Sequence, residues 1–183
     1  MIDLKKIDKT WTLFLDRDGV INDEKQLDYI NTWKEFKFFT GTKEAIKNLT
    51  ERFGNIFIVT NQRGVAKGVT KMEDLEIIHR NMIKEIEAAG GRVTKIYFCT
   101  DIENSSPNRK PNPGMGWQAK KEFPEVDFSK SIMVGNTLSD MEFGRNVGIA
   151  LNIFIPSTHP NLGEKHPMVD AVYPDLMSLA KAI

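Results

Sequence analysis

The sequence predicts an α/β fold, a doubly wound central parallel sheet with helices on both faces. Three observations predict it: apolar runs without alternation at residues 13–15, 56–59 and 132–134, stretches of helical period between them, and glycine or proline at most of the transitions. Strands covered on both faces lose the alternation of a half-exposed strand, which is the habit of parallel sheets. Strands that alternate with helices at this spacing require crossover connections and hence a layered, Rossmann-like arrangement.

The first strand, residues 13–15, runs into Asp16-Arg17-Asp18-Gly19-Val20-Ile21-Asn22. Residues 23–40 lack a sustained period but carry Tyr29, Trp33, Phe36, Phe38 and Phe39, so a long ordered loop packed by its own aromatics is expected. Thr42 is placed to cap a helix over 43–52, with Ala45, Ile46, Leu49 and Phe53 on one face and Gly54 as its stop. Strand two covers 56–59 and ends at Thr60-Asn61. Thr70 and Glu73 have the spacing of a capping box for a helix over 71–89, with Met72, Leu75, Ile78, Met82, Ile83 and Ile86 inward and Gly90-Gly91 ending it. His79 adjoins that stripe and reads as a boundary position.

Strand three is expected over 95–99, followed by a polar stretch to Pro113 and a helix from near Gly114 to just before Pro124. Strand four covers 131–134, a short helix 138–146 closes near Gly148, and strand five covers 149–155. After an irregular, proline-containing tail at 156–167, residues 171–173 read as an edge strand and 175–180 as a closing helix. The 183 residues, 40% hydrophobic and 27% charged, suit a single domain spanning 1–183 with no large cap.

Lys plus Arg and Asp plus Glu balance at 25 each, which provides no broad basic surface, and nucleic acid is not an expected partner. The first residues, Met1-Ile2-Asp3-Leu4-Lys5-Lys6-Ile7-Asp8, mix charge with isolated apolar positions and lack a signal-peptide core or a spanning segment. A cytoplasmic location and no membrane partner are expected. Cys99 ends an apolar run as a core residue, and with His79, His159 and His166 it makes no zinc-ligand spacing. Gly64-Val65-Ala66-Lys67-Gly68-Val69-Thr70 lacks the spacing and the lysine of a phosphate loop.

In open parallel sheets ligands sit beyond the carboxyl ends of the strands. Asp16 and Asp18 stand at such an end, and two residues apart on extended chain they project to the same side while Gly19 lets the backbone turn away. Three further polar clusters end or follow apolar segments: Thr60 with Asn61, Arg109 with Lys110, and Asn136 with Asp140 after Gly135. Taken singly, each has a plain structural reading as a turn, a solvated charge or a residue at a helix start. It is the ordered set that is specific.

That set resembles the haloacid dehalogenase superfamily of phosphohydrolases over about residues 13–148, with the aspartate pair, Thr60, Lys110 and the Gly135-Asn136-Thr137-Leu138-Ser139-Asp140 segment as its four motifs. Finer matches at 16–22, at Thr60-Asn61-Gln62-Arg63-Gly64-Val65-Ala66-Lys67-Gly68 and at Arg109-Lys110-Pro111-Asn112-Pro113-Gly114-Met115 are similar to the heptose-bisphosphate and histidinol-phosphate phosphatases. The resemblance implies Mg²⁺-dependent hydrolysis of a small phosphorylated metabolite through an aspartyl-phosphate, with a sugar phosphate such as D-glycero-D-manno-heptose 1,7-bisphosphate the leading substrate. It implies Asp16 as nucleophile, Asp18 as acid and base, and Thr60 and Lys110 as holders of the transferring oxygens. Asp16, Asp18 by its backbone carbonyl, Asn136 and Asp140 become the expected metal ligands. Asn61, Gln62, Arg63, Lys67 and Arg109 are expected to contact substrate, with Arg63, Lys67 and Arg109 selecting a second anionic group.

The bare chemistry agrees, since a carboxylate can take a phosphoryl group only where a cation and fixed donors offset the repulsion of two anions. Two departures carry expectations. Residues 101–108 lack the Cys/His zinc loop usual in bacterial heptose-bisphosphate phosphatases, so no zinc is expected. Asn136 stands where the family has aspartate, which removes one ligand charge and predicts weaker metal binding. Two other readings stay open: a polynucleotide 3′-phosphatase, which shares the Thr-Asn-Gln and Arg-Lys-Pro segments, and a silent phospholigand-binding protein on the same scaffold.

Overall fold

In the computed structural model, which describes residues 3–25, 28–159 and 166–183, the sheet has six strands. They are β1 (Thr12–Leu15), β2 (Asn55–Asn61), β3 (Lys95–Cys99), β4 (Ser131–Gly135), β5 (Leu151–Phe154) and β6 (Ala171–Val172). The order is β3-β2-β1-β4-β5-β6 and every pairing is parallel. The helices α1 (Thr42–Arg52), α2 (Met72–Ala88), α3 (Gly114–Glu122), α4 (Leu138–Val147) and α5 (Leu176–Ala182) connect or follow the strands. Among the described residues no cap domain interrupts this alternation, and no helix is long and apolar enough to cross a membrane.

Two faces of β1 feed two cores, as the two-residue strand period requires. Leu13 and Leu15 join Ile56 and Ile58 under α1 and α2, while Phe14 joins Phe57, Val59 and Met133 under α3 and α4. Each such buried side chain contributes about 1.5–3 kcal/mol of transfer free energy. Cys99 is buried in the second core, as its sequence context suggests. The chain builds outward from β1 through β2 to β3, then returns to the other side of β1 with β4. The strand order therefore reverses between β1 and β4, and the crevice at that switch point is where open α/β sheets bind ligands.

Several element boundaries differ from the sequence reading, each for a local reason. Helix α1 begins at Thr42 itself, because Gly41, at φ +80°, takes the cap position and Thr42 is buried in the first turn. The capping box at Thr70 does not form: Lys71 holds the cap position without a side-chain bond, and the Thr70 hydroxyl donates instead to Asn31 Oδ1 at 2.6 Å. Met72 consequently faces outward, 38% exposed. Strand β5 starts only at Leu151, since the Ile149 N–H is spent on the Gly144 carbonyl in closing α4. The aromatic loop packs on itself as expected, with Trp33 and Phe36 stacked at 5.0 Å and Phe38 edge-on to Phe36 at 5.0 Å. Of that loop, residues 26–27 lie outside the described residues, as do 160–165 of the tail.

Candidate active site

Beyond Leu15 the ladder continues one step, with the Asp16 N–H donating to the Val134 carbonyl at 2.9 Å, so Asp16 is still fixed by the sheet. The chain then turns through Gly19 at φ +83°. A side chain there would be strained and would also collide with Asn136, whose Nδ2 lies 1.9 Å from where a Cβ would stand. The glycine thus lets the β1 loop press against the start of α4. Gly135 does the same on the other side, since its Cβ would fall 2.2 Å from the Asp140 Cβ.

Lys110 lies buried at the centre of the site. Its Nζ is 2.8 Å from Asp16 Oδ1 and 2.6 Å from Asp140 Oδ1, and it donates to the Val59 carbonyl at 2.7 Å. Burial works against the ammonium, but the flanking Asp140 and Asp16 charges outweigh it and hold the lysine above its ordinary pKa. For Asp16, burial and then the Asp140 charge push the carboxyl up to about 7 against the pull of Lys110. A second cation beside Asp16 would oppose that rise.

Asp18 has a different environment. Arg17 Nη2 reaches both its oxygens at 3.0 and 2.9 Å, Asn22 Nδ2 donates at 2.9 Å and Gln62 Nε2 at 2.8 Å. Burial raises this carboxyl, but the Arg17 charge and those donors prevail and hold it below the usual range. Arg17 itself is buried and passes a further hydrogen bond from Nη1 to His79 Nε2 at 3.1 Å. Because arginine can only donate, Nε2 is the acceptor and His79 is neutral.

Burial first, and then the Arg17 charge, lower His79 to about 3. An unfolded chain binds this proton at its ordinary value, so stability is complete above about pH 6.5 and declines as pH falls toward the folded value, by up to about 1.4 kcal/mol per pH unit. His79→Gln retains an acceptor for Arg17 and is expected to flatten the pH dependence of the denaturant midpoint in that window. An unaltered slope would count against it.

The predicted residues converge on one cleft of about 830 Å³ lined by Asp16, Asp18, Thr60, Lys110, Asn136 and Asp140, with Arg63, Lys67 and Arg109 also on its walls. Three of the expected residues also hold the site's own groups in place. Asn61, on the cleft wall, accepts from the Lys110 N–H and donates to the Lys110 carbonyl, both at 3.0 Å, and so anchors the lysine loop. Gln62, also on the cleft wall, donates to Asp18 and to Thr60 Oγ1 at 2.9 Å and accepts from Arg17, and so positions the acid. Asp140, on the cleft wall, meets Lys110 with Oδ1, and its Oδ2 accepts from the Asn136 N–H, the Thr137 N–H and the Thr137 hydroxyl. It closes the α4 capping box and serves as the counter-ion of Lys110.

Arg109 is buried, held by Asn104 Oδ1 at 3.4 Å and the Asp101 carbonyl at 3.2 Å. Arg63 donates to Tyr29 Oη at 3.1 Å, and Lys67 stands 5.6 Å from the centre of the same ring, so a cationic rim forms around Tyr29. The sequence assigns no role to Arg17 or Asn22, although both belong to the motif around Asp18. Glu24 and Thr158, which meet Asn136 at 3.1 and 2.8 Å, offered no sequence signal at all.

A Mg²⁺ ion fits the donor set. Asn136 Oδ1 is buried without a hydrogen-bond partner among the described residues, and Asn136 lines the same cleft as Asp16 and Asp18. All of these are hard oxygen donors of the kind Mg²⁺ takes.

Residues 12–159 match the family model described as polynucleotide kinase 3 phosphatase. The chain is 40% identical over 147 residues, 80% of its length and 83% of the relative's, to the D-glycero-alpha-D-manno-heptose-1,7-bisphosphate 7-phosphatase of Campylobacter jejuni. It is 36% identical over 141 residues, 76% of the chain and 74% of the relative, to the protein of the same name from Mycobacterium bovis. Among solved structures, the D,D-heptose 1,7-bisphosphate phosphatase of B. bronchiseptica complexed with magnesium and phosphate superposes with a TM-score of 0.84 at 26% identity, over 93% of this chain and 96% of that one.

Proposed function

The chain belongs to the haloacid dehalogenase superfamily, within the polynucleotide kinase 3 phosphatase family and the heptose-bisphosphate phosphatase branch, and is a phosphoric monoester hydrolase; we propose that it is a Mg²⁺-dependent sugar-bisphosphate phosphatase. The observation that carries this reading is the Asp16–Lys110 pair, 2.8 Å apart on the floor of a cleft whose rim holds Arg63, Lys67 and Arg109. One phosphate meets the nucleophile and a second meets the rim. D-glycero-D-manno-heptose 1,7-bisphosphate is the leading substrate, as it is the named substrate of the relatives.

In the first step an Asp16 carboxylate oxygen attacks phosphorus and the bond to the sugar oxygen breaks, leaving an aspartyl-phosphate. Asp18, held ionised by Arg17 and the Asn22 and Gln62 donors, takes up the proton that a monoanionic phosphate ester carries in and delivers it to the departing alkoxide. It then takes a proton from the water that hydrolyses the intermediate, and inorganic phosphate leaves. Lys110 fixes the Asp16 rotamer and stabilises the oxygens in transfer, while Asp140 keeps the lysine in place. The Asp16 carboxylate, the Asp18 carbonyl and Asn136 Oδ1 would hold Mg²⁺, which when bound offsets the repulsion between nucleophile and phosphate.

The test is phosphate release, with Mg²⁺, from a heptose 1,7-bisphosphate, a heptose monophosphate, histidinol phosphate and a 3′-phosphorylated oligonucleotide. The bisphosphate is expected to be turned over fastest. Arg109→Ala is expected to raise its KM about tenfold or more, while leaving the monophosphate nearly unaffected, because a desolvated charge-assisted contact contributes about 1.5–3 kcal/mol. Faster release from the oligonucleotide would overturn the reading, and binding without turnover across the panel would favour a silent binding protein.

A further inference from the structure

We propose that Glu24 is a positioning residue for the metal, acting through the Asn136 amide; this rests on the reading of Asn136 as a metal ligand. Asn136 has two amide hydrogens and both are committed. Nδ2 donates to Glu24 Oε2 at 3.1 Å and to Thr158 Oγ1 at 2.8 Å, and the Thr158 hydroxyl donates to the same Glu24 oxygen at 2.6 Å. A carboxylate accepts and cannot donate, so it dictates which end of the amide faces it. The other end, Oδ1, is buried and without a partner among the described residues, in a residue that lines the cleft with Asp16 and Asp18.

An aspartate at this position would need no such orientation, since either of its oxygens could ligate. Asparagine has one acceptor, and an amide rotated by half a turn would present hydrogens to a cation. Preventing that rotation is the specific task the structure gives Glu24, and Thr158 locks the glutamate in turn. The arrangement has the form of an outer carboxylate that orients a metal ligand. It also explains how a chain lacking the family's aspartate can retain its ion.

The experiment measures metal binding directly, by Mn²⁺ electron paramagnetic resonance and by Mg²⁺ titration calorimetry on the full chain, alongside melting curves to verify folding. Glu24→Ala is expected to weaken binding about 10- to 100-fold, the range for loss of an outer-shell partner. Glu24→Gln retains an acceptor oxygen for the Asn136 amide and should stay within about threefold of the parent. In an Asn136→Asp background the Glu24→Ala change should cause no loss, because the carboxylate needs no orienting and loses a like charge beside it. Binding by Glu24→Ala within about twofold of the parent would overturn the proposal, as would equal losses in Glu24→Ala and Glu24→Gln, or the same loss in both backgrounds. A parent that binds neither ion would overturn the metal reading itself, a result distinct from those.

Discussion

Asp16→Asn is expected to lower phosphate release by about 10⁴-fold or more while the protein remains folded. The substitution keeps the shape of the side chain and removes the oxygen nucleophile, so what is lost is the covalent step. Stability is expected to hold or to rise. Lys110 retains Asp140 as counter-ion at 2.6 Å, and the repulsion between Asp16 and Asp140, which contributes to raising the Asp16 carboxyl, disappears. Single-turnover phosphate release together with a denaturant midpoint checks both halves. Undiminished release from the purified variant would remove Asp16 from the mechanism, and a collapsed midpoint would mean that the Asp16–Lys110 pair contributes more to the fold than its flanking repulsion removes.

Lys110→Met is expected to be the more damaging change, losing activity and about 3–5 kcal/mol of stability together. Lys110 is enclosed between two buried carboxylates and the Val59 carbonyl, and removing the ammonium leaves Asp16 and Asp140 facing each other without the counter-ion between them. The same logic predicts a rescue. Lys110→Met with Asp140→Asn removes one of the two stranded charges, and should recover a large part of the lost stability but none of the activity. Equilibrium urea unfolding of the single and double variants decides the matter, and additive losses would show that the two residues do not share one charge network. Because the folded lysine is held above its ordinary pKa, its contribution is complete below about pH 10.4 and is lost only as pH rises through the folded value.

Much of the fold can be read from local pattern. Residues 13–15, 56–59 and 132–134 have no polar face, and they are the strands β1, β2 and β4 at the centre of the sheet, where neighbours and helices cover every side. The helix starts were less legible. Thr70 had the spacing for a cap, but Asn31, from a loop 39 residues earlier, competes for its hydroxyl and wins at 2.6 Å. A capping signature describes what a side chain can do with its own helix, and says nothing of a stronger acceptor brought in from elsewhere.

The same division runs through the site. From sequence alone come the strand-end aspartates, the Thr60 and Lys110 clusters, the acidic segment after Gly135 and the order in which they occur, because each is a short-range pattern at the end of an apolar run. Only the tertiary structure decides which of those polar atoms are free. Asn61 and Gln62 read alike as substrate contacts, and the structure shows that their amides also hold the Lys110 backbone and Asp18. Asp140 reads as a metal ligand, and its oxygens also meet Lys110 and the start of α4. Glu24 lies 134 residues from Thr158 and 112 from Asn136, separations over which no local signal survives. Sequence pattern determines where donors and acceptors can stand, whereas packing decides how their hydrogen bonds are shared, since each buried lone pair and N–H must find a partner among whatever the fold brings within about 3 Å.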